Sequence, residues 1–274
     1  MLSWTYINNL FSLTMCQIIS VHSFRGGTGK SNLTANLAAT MTLQGKKIGV
    51  VDTDIQSPGI HIIFGIEEEQ IEYSLNDYLW GKCKIEDTAC NVTHVLPKPQ
   101  PGGKLFLIPS SIKAGQIARI LREGYDVARL NDGLNELIQA LDLDYLLIDT
   151  HPGLNEETLL SIAISDTLVV ILRPDQQDYQ GTAVTLEVAR KLDMTNIMLV
   201  VNKTTSSDLD ILQNNMEKTY KTPVVGMIPL SAEIARLGSR DIFCLNYPHH
   251  PLSQTVNKIS QQIIERKSLL VAGG

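Results

Sequence analysis

Ser23-Phe24-Arg25-Gly26-Gly27-Thr28-Gly29-Lys30-Ser31 decides how this chain is read. The apolar run Ile18-Ile19-Ser20-Val21 comes just before it and reads as a buried strand. Asn32-Leu33-Thr34-Ala35-Asn36-Leu37-Ala38-Ala39 comes directly after and reads as a helix. A strand, a glycine-rich turn ending in Lys-Ser, and a helix form the setting of a phosphate-binding loop. Glycines let successive backbone N–H groups converge on phosphate oxygens. The helix that begins at the loop turns the positive end of its dipole toward the same anion. Gly26, Gly27, Thr28, Gly29, Lys30, Ser31 and Asn32 are therefore the candidate phosphate contacts. Lys30 supplies a point charge to the β- and γ-phosphates, and the Ser31 hydroxyl is a candidate Mg²⁺ ligand.

Further along, apolar runs end in polar residues of the type such a site needs. Ile48-Gly49-Val50-Val51 reads as a second strand and ends in Asp52-Thr53-Asp54. Two acids at the carboxyl end of a buried strand lie where open α/β sheets place their ligands, so they read as magnesium and water ligands. Tyr145-Leu146-Leu147-Ile148-Asp149 has the form of a Walker B strand, with Asp149 holding Mg²⁺ through water. Strands are also expected at 105–108, 167–172, 197–201 and 224–228, and helices at 74–79, 126–141, 181–192 and 254–270. The stretch 97–103, rich in Pro and Gly, is expected to be an exposed loop. Strands alternating with helices give one doubly wound, mostly parallel sheet flanked by helices. Right-handed crossovers put every strand end on one rim. The loop, Asp52, Asp54, Asp149 and Asn202 then converge on one nucleotide.

Composition narrows the classes. The chain has 274 residues, 43% hydrophobic and 19% charged, which suits one large α/β domain. A net charge of −6 argues against a strongly basic nucleic-acid binder. No run of eighteen apolar residues marks a membrane span, so a cytoplasmic protein is expected. Cys16, Cys83, Cys90 and Cys244 are scattered, without C-x-x-C spacing, which suggests neither a zinc site nor a redox pair. Residues 1–15 carry no charged side chain and read as an extension before a domain at 16–274, with translation expected to start at Met15.

The loop Arg-Gly-Gly-Thr-Gly-Lys-Ser departs from the plain Walker A spacing, which would put its first Gly at Phe24. It resembles the deviant Walker A box of the MinD/ParA ATPases. The Asp52-Thr53-Asp54 strand end and the Asp149-Thr150-His151-Pro152-Gly153 turn resemble that family as well, and the likeness runs from about Cys16 to the end. It implies a P-loop domain that binds ATP and Mg²⁺ and forms a homodimer face to face around two ATP molecules. Hydrolysis separates the dimer, and adaptor proteins stimulate it. Such proteins position division sites, plasmids, chromosomes or carboxysome-like cargo, cycling on and off nucleoid DNA or membrane. The resemblance makes Asp54 the water-positioning acid and Asn202 the adenine contact, with Pro229 and Leu230 along the adenine edge. His151 stands beside the family's small or proline position and is read as a turn residue. The family's signature lysine is Arg25 here. Arginine stays charged and can grip phosphate oxygens through two parallel N–H bonds, so Arg25 is expected to act in trans.

Two rival classes are weighed against this one. Asp52 to Ile60 also resembles the second motif of Mrp-type iron–sulfur carriers, which carry a C-x-x-C pair toward the C-terminus; Cys244 stands alone here. A nucleotide-locked binding module is the other. For the surface that follows the switch, Arg236, Arg240, Lys258, Arg266 and Lys267 offer a modest basic patch for DNA. Ile263, Ile264, Leu269, Leu270 and Val271 offer a membrane-facing alternative.

Overall fold

The computed structural model describes residues 16–205 and 208–272, with side-chain surroundings through Glu265. The extension at 1–15 and the side chains of the last basic pair, Arg266 and Lys267, lie outside the described residues.

Eight strands form one sheet in the order β3-β4-β2-β5-β1-β6-β7-β8. In chain order they are β1 (Gln17–His22), β2 (Lys47–Asp52), β3 (Cys90–Asn91), β4 (Lys104–Ile108), β5 (Tyr145–Asp149), β6 (Thr167–Leu172), β7 (Ile197–Thr204) and β8 (Val224–Pro229). All neighbours run parallel except the two-residue edge strand β3, which pairs antiparallel with β4. The longer helices are α1 (Lys30–Leu43), α2 (Ala114–Glu123), α3 (Val127–Leu141), α4 (Glu156–Ala163), α5 (Gln176–Lys191), α6 (Leu209–Tyr220) and α7 (Pro251–Ala272).

The central strands are mostly apolar because both faces of the sheet are covered there, as parallel sheets require. Side chains alternate between faces along each strand. Ile19 and Val21 of β1, Ile48 and Val50 of β2, and Val169 and Ile171 of β6 join one core beneath α1 and α7. The intervening positions face the other way. Leu146 and Ile148 pack with α3, and Leu168 and Val170 pack with α5 and α6. The β1 strand lies mid-sheet between β5 and β6, so its carboxyl end delivers the glycine-rich loop to the middle of one rim.

Element boundaries moved where caps decide them. The helix expected from residue 181 begins at Gln176, because the Asp175 carboxylate accepts from the N–H groups of Gln177 and Asp178. The last helix begins at Pro251 rather than 254, with proline at the first helical position where its missing N–H costs nothing. Helices α2, α4 and α6 had no expected counterpart. Ile120 is the one buried side chain of α2, so little of this helix enters the core.

Candidate functional site

Backbone conformation and a close contact both require glycine at position 29. Its φ is +99°, and a Cβ there would stand 2.5 Å from Asn202 Nδ2. The loop carbonyls are tied to β7. Asn202 Nδ2 donates to Thr28 O at 2.7 Å, and Lys203 Nζ donates to Gly27 O at 2.8 Å. Lys203 reaches the loop because the β7–β8 register slips between Asn202 and Thr204, leaving Lys203 left-handed at φ 59°. Thr28 Oγ1 is buried with no protein partner, a polar atom held ready for a ligand.

Charge is concentrated next to the loop. Lys30 Nζ sits 3.0 Å from Asp149 Oδ1, and both side chains are buried. Burial opposes the lysine charge, yet Asp149 beside it, with Asp54 and Asp52, holds its pKa above the ordinary lysine value. Asp52 lies beside Asp149 in the β2–β5 register. Its carboxylate accepts from Asp54 N at 3.0 Å and Gly59 N at 3.3 Å. Burial and the charge of Asp149 push Asp52 up to about 8. Two buried carboxylates thus face a single lysine, a donor set that suits a divalent cation. Mg²⁺ typically takes one or two carboxylates and completes its shell with water and substrate phosphates. No cluster of three or more His, Cys, Asp or Glu that could hold a metal ion occurs among the described residues. Ser31 is half-buried in the first turn of α1.

Asp54 follows on the loop after β2. Three hydrogen bonds converge on its Oδ1: from His151 Nδ1 at 2.6 Å and from Ser57 N and Ser57 Oγ, both at 3.2 Å. The His151 contact spans 97 residues of sequence.

His22 ends β1, fully buried beneath the loop. Thr150 Oγ1 spends its proton on Val21 O, so His22 Nδ1 is the donor to Thr150 at 2.8 Å. The Nε2 atom is then a buried acceptor without a partner. Burial, with the Lys30 ammonium nearby, lowers the His22 pKa from 6.5 to about 3. A depressed histidine leaves the unfolded chain binding more protons between those two values, so stability falls as pH drops through that window. From pH 7 to 4.5 the loss from this one group is on the order of 2–3 kcal/mol. His22→Asn keeps a donor toward Thr150 and removes the titration. Urea midpoints at the two pH values should therefore fall less for the variant; equal slopes would remove His22 as the cause.

A cavity of about 410 Å³ opens beside the loop. Gly27, Gly29, Asn32, Asn202, Pro229 and Leu230 line it, and its floor reaches Phe243. Leu230 is 62% exposed and forms an apolar lip. Arg25 stands apart from the cavity. Its Nη1 lies 3.7 Å from Asp178 Oδ1 and 3.9 Å from Asp175 Oδ1.

Comparison with known proteins now fits this geometry. Residues 14–264 match the family profile described as ParA, NUBPL iron-transfer P-loop NTPase. The chain belongs to the ParA family of P-loop NTPases. An uncharacterized ATP-binding protein of Methanocaldococcus jannaschii is 27% identical, covering 92% of this chain and 89% of its own. The flagellum site-determining protein YlxH of Helicobacter pylori is 24% identical over 91% of this chain and 82% of its own. The cytosolic Fe-S cluster assembly factor CFD1 of Phaeosphaeria nodorum is 32% identical, over 56% of this chain and 51% of its own. Among solved structures, the MinD cell division protein of Aquifex aeolicus superposes with a TM-score of 0.76 at 20% identity, over 91% of this chain and 97% of that one. The last likeness establishes the fold.

Within the ParA-family frame, the residues named from sequence fall into two groups. Lys30, Asp52, Asp54 and Asp149 gather at one rim, and Gly27, Gly29, Asn32, Asn202, Pro229 and Leu230 form the adjoining cavity. Arg25 instead faces α5 of its own subunit. Lys203, His22 and the His151–Asp54 contact are additions that sequence reasoning missed. A cation next to Asn202 was a signal for the first. Nothing in the sequence signalled the other two, because both contacts join segments far apart in sequence.

Proposed function

We propose that this chain is an ATP-hydrolysing switch that dimerises around nucleotide and positions cellular cargo. The observation that carries this reading is the meeting of Lys30, Asp149, Asp52 and Asp54 at one rim, beside a cavity sized for a base. Lys30 leaves Asp149 to hold the β- and γ-phosphates. Thr28 and the backbone of Gly26–Gly29 cradle them. Ser31, Asp52 and Asp149 hold Mg²⁺, which supplies charge neutralisation to the phosphates. Asn202, Pro229 and Leu230 seat adenine, and Asp54 orients the attacking water.

Dimerisation is supported at two points. Gly26 has no left-handed φ, and a Cβ there would meet nothing nearer than Pro152 Cγ at 4.0 Å. Its lack of a side chain answers no need within one subunit, which suits close approach by phosphate or a second copy. Arg25 is loosely held. Asp178 already takes two bonds from the Arg173 guanidinium, at 3.1 Å each, and Arg25 is 40% exposed. At 3.7 Å and 3.9 Å neither contact of Arg25 is a hydrogen bond, and Asp178 keeps its Arg173 partner, so Arg25 can leave them for phosphate across a dimer.

Light scattering with ATP and magnesium tests this reading. Arg25→Ala should keep ATP binding as a monomer and lose ATP-dependent dimerisation and turnover, and Arg25→Lys should restore much of both. An Arg25→Ala protein that dimerises like wild type would end the in-trans role. Co-sedimentation with plasmid DNA and with anionic vesicles, in ATP and in ADP, identifies the surface on which the cycle runs.

A second reading, an iron–sulfur cluster carrier, is favoured by the family description and by the likeness to CFD1. The donor set opposes it. Clusters are held by thiolates, and Cys16, Cys83, Cys90 and Cys244 include no C-x-x-C pair of the kind such carriers use. Stoichiometric iron after anaerobic purification would favour the carrier over the switch.

A further inference from the structure

We propose that His151 is a positioning residue for hydrolysis: it fixes the Asp54 carboxylate through Oδ1, so that Oδ2 is the oxygen presented to the attacking water. The inference rests on the ATPase reading above. It starts from what anchors each partner. Asp54 sits on the loop after β2, and its bonds to Ser57 lie within its own turn and move with it. The bond from His151 Nδ1, at 2.6 Å, ties that carboxylate to a different part of the site.

The turn that carries His151 is itself pinned. Thr150 N and Thr150 Oγ1 both donate to Val21 O, at 3.3 Å and 3.1 Å. Gly153 N donates to Ser23 O at 3.1 Å, and Thr158 Oγ1 donates to His151 O at 3.3 Å. His151 is thus mounted on β1, on the start of the phosphate loop and on α4. Through it, Asp54 is held in register with the loop that would carry the phosphates. An ionised carboxylate only accepts, so the facing Nδ1 carries the proton. Among the described residues no hydrogen bond reaches Asp54 Oδ2. Both side chains are half-buried, at 21% and 14% exposed.

Misplacement of a reacting group by about 1 Å can cost on the order of 10²-fold in rate. Losing the link while keeping the Ser57 bonds should cost less. His151→Ala is therefore expected to lower kcat about 10-fold with KM and ATP affinity unchanged. His151→Asn places an amide N–H close to where Nδ1 stands and should recover most of the loss. Because His151 acts through Asp54, the double variant His151→Ala/Asp54→Ala should be no slower than Asp54→Ala alone. Steady-state ATPase assays on the full chain, with ATP affinity measured by calorimetry, read all three. Wild-type kcat for His151→Ala beside an inactive Asp54→Ala overturns this inference and leaves the ATPase reading intact. So does a loss that adds in full to that of Asp54→Ala, or one that appears only in affinity. Normal turnover by Asp54→Ala overturns the role of Asp54, and this inference with it.

Discussion

Lys30→Ala should lose nucleotide binding and some of its fold stability together. The Lys30 ammonium is the partner of Asp149 at 3.0 Å, with Asp52 alongside in register. Removing it leaves the buried Asp149 carboxylate without its cation, beside the Asp52 carboxyl group. Breaking a buried ion pair from one side typically costs about 3–5 kcal/mol. The phosphates lose more directly. Hydrogen bonds to charged groups contribute about 1.5–3 kcal/mol each. Contacts to both the β- and γ-phosphates then correspond to an affinity loss of roughly 10²–10⁴-fold. Calorimetric titration with ATP and magnesium, run beside a urea melt, separates the two effects. A folded Lys30→Ala protein that binds ATP like wild type would show that the loop does not hold phosphate. Magnesium should restore part of the lost stability even without nucleotide, because a divalent cation replaces the missing charge between the carboxylates.

Asp54→Ala should do the opposite: bind ATP well and hydrolyse it poorly. Asp54 is outside the buried Lys30–Asp149 pair, so its loss leaves the phosphate cradle in place. Groups that position or activate a nucleophile typically contribute about 10²–10⁴-fold to the rate. With hydrolysis slowed, the ATP-bound form accumulates. Size-exclusion chromatography with ATP should then show more dimer than wild type, and phosphate release should fall by that factor. Turnover at the wild-type rate would move the water-positioning role to another residue. The two variants form a matched pair, one blocked before nucleotide capture and the other after it.

The fold was legible because its signals are local and repeated. Most core strands contain a short apolar run, and β2, β5 and β7 end it in polar residues, which makes such runs conspicuous. The strand at 167–172 was read without error, and Tyr145–Asp149 likewise. Helices α2, α4 and α6 were not, since each buries few side chains and depends on neighbours for its place. The edge strand Cys90–Asn91 exists only by pairing with β4, and two residues carry no period of their own.

The sequence alone determined the phosphate loop, the strand-end acids and the parallel sheet that gathers them. Residue type and spacing within one strand–turn–helix unit are enough for that, since the backbone geometry of the unit is fixed by chirality and packing. Only the tertiary structure decided what those residues touch. Arg25 reads the same in sequence whether it faces a partner's phosphate or its own Asp178, and folding places it near Asp178. His151 reads as a turn residue, and folding places it on Asp54. Lys203 is in sequence only the residue after Asn202, and a register slip between β7 and β8 brings it to the loop. Each of these contacts joins chain segments far apart in sequence. Their geometry follows from how the strands are ordered and registered in the sheet, and no local pattern encodes it.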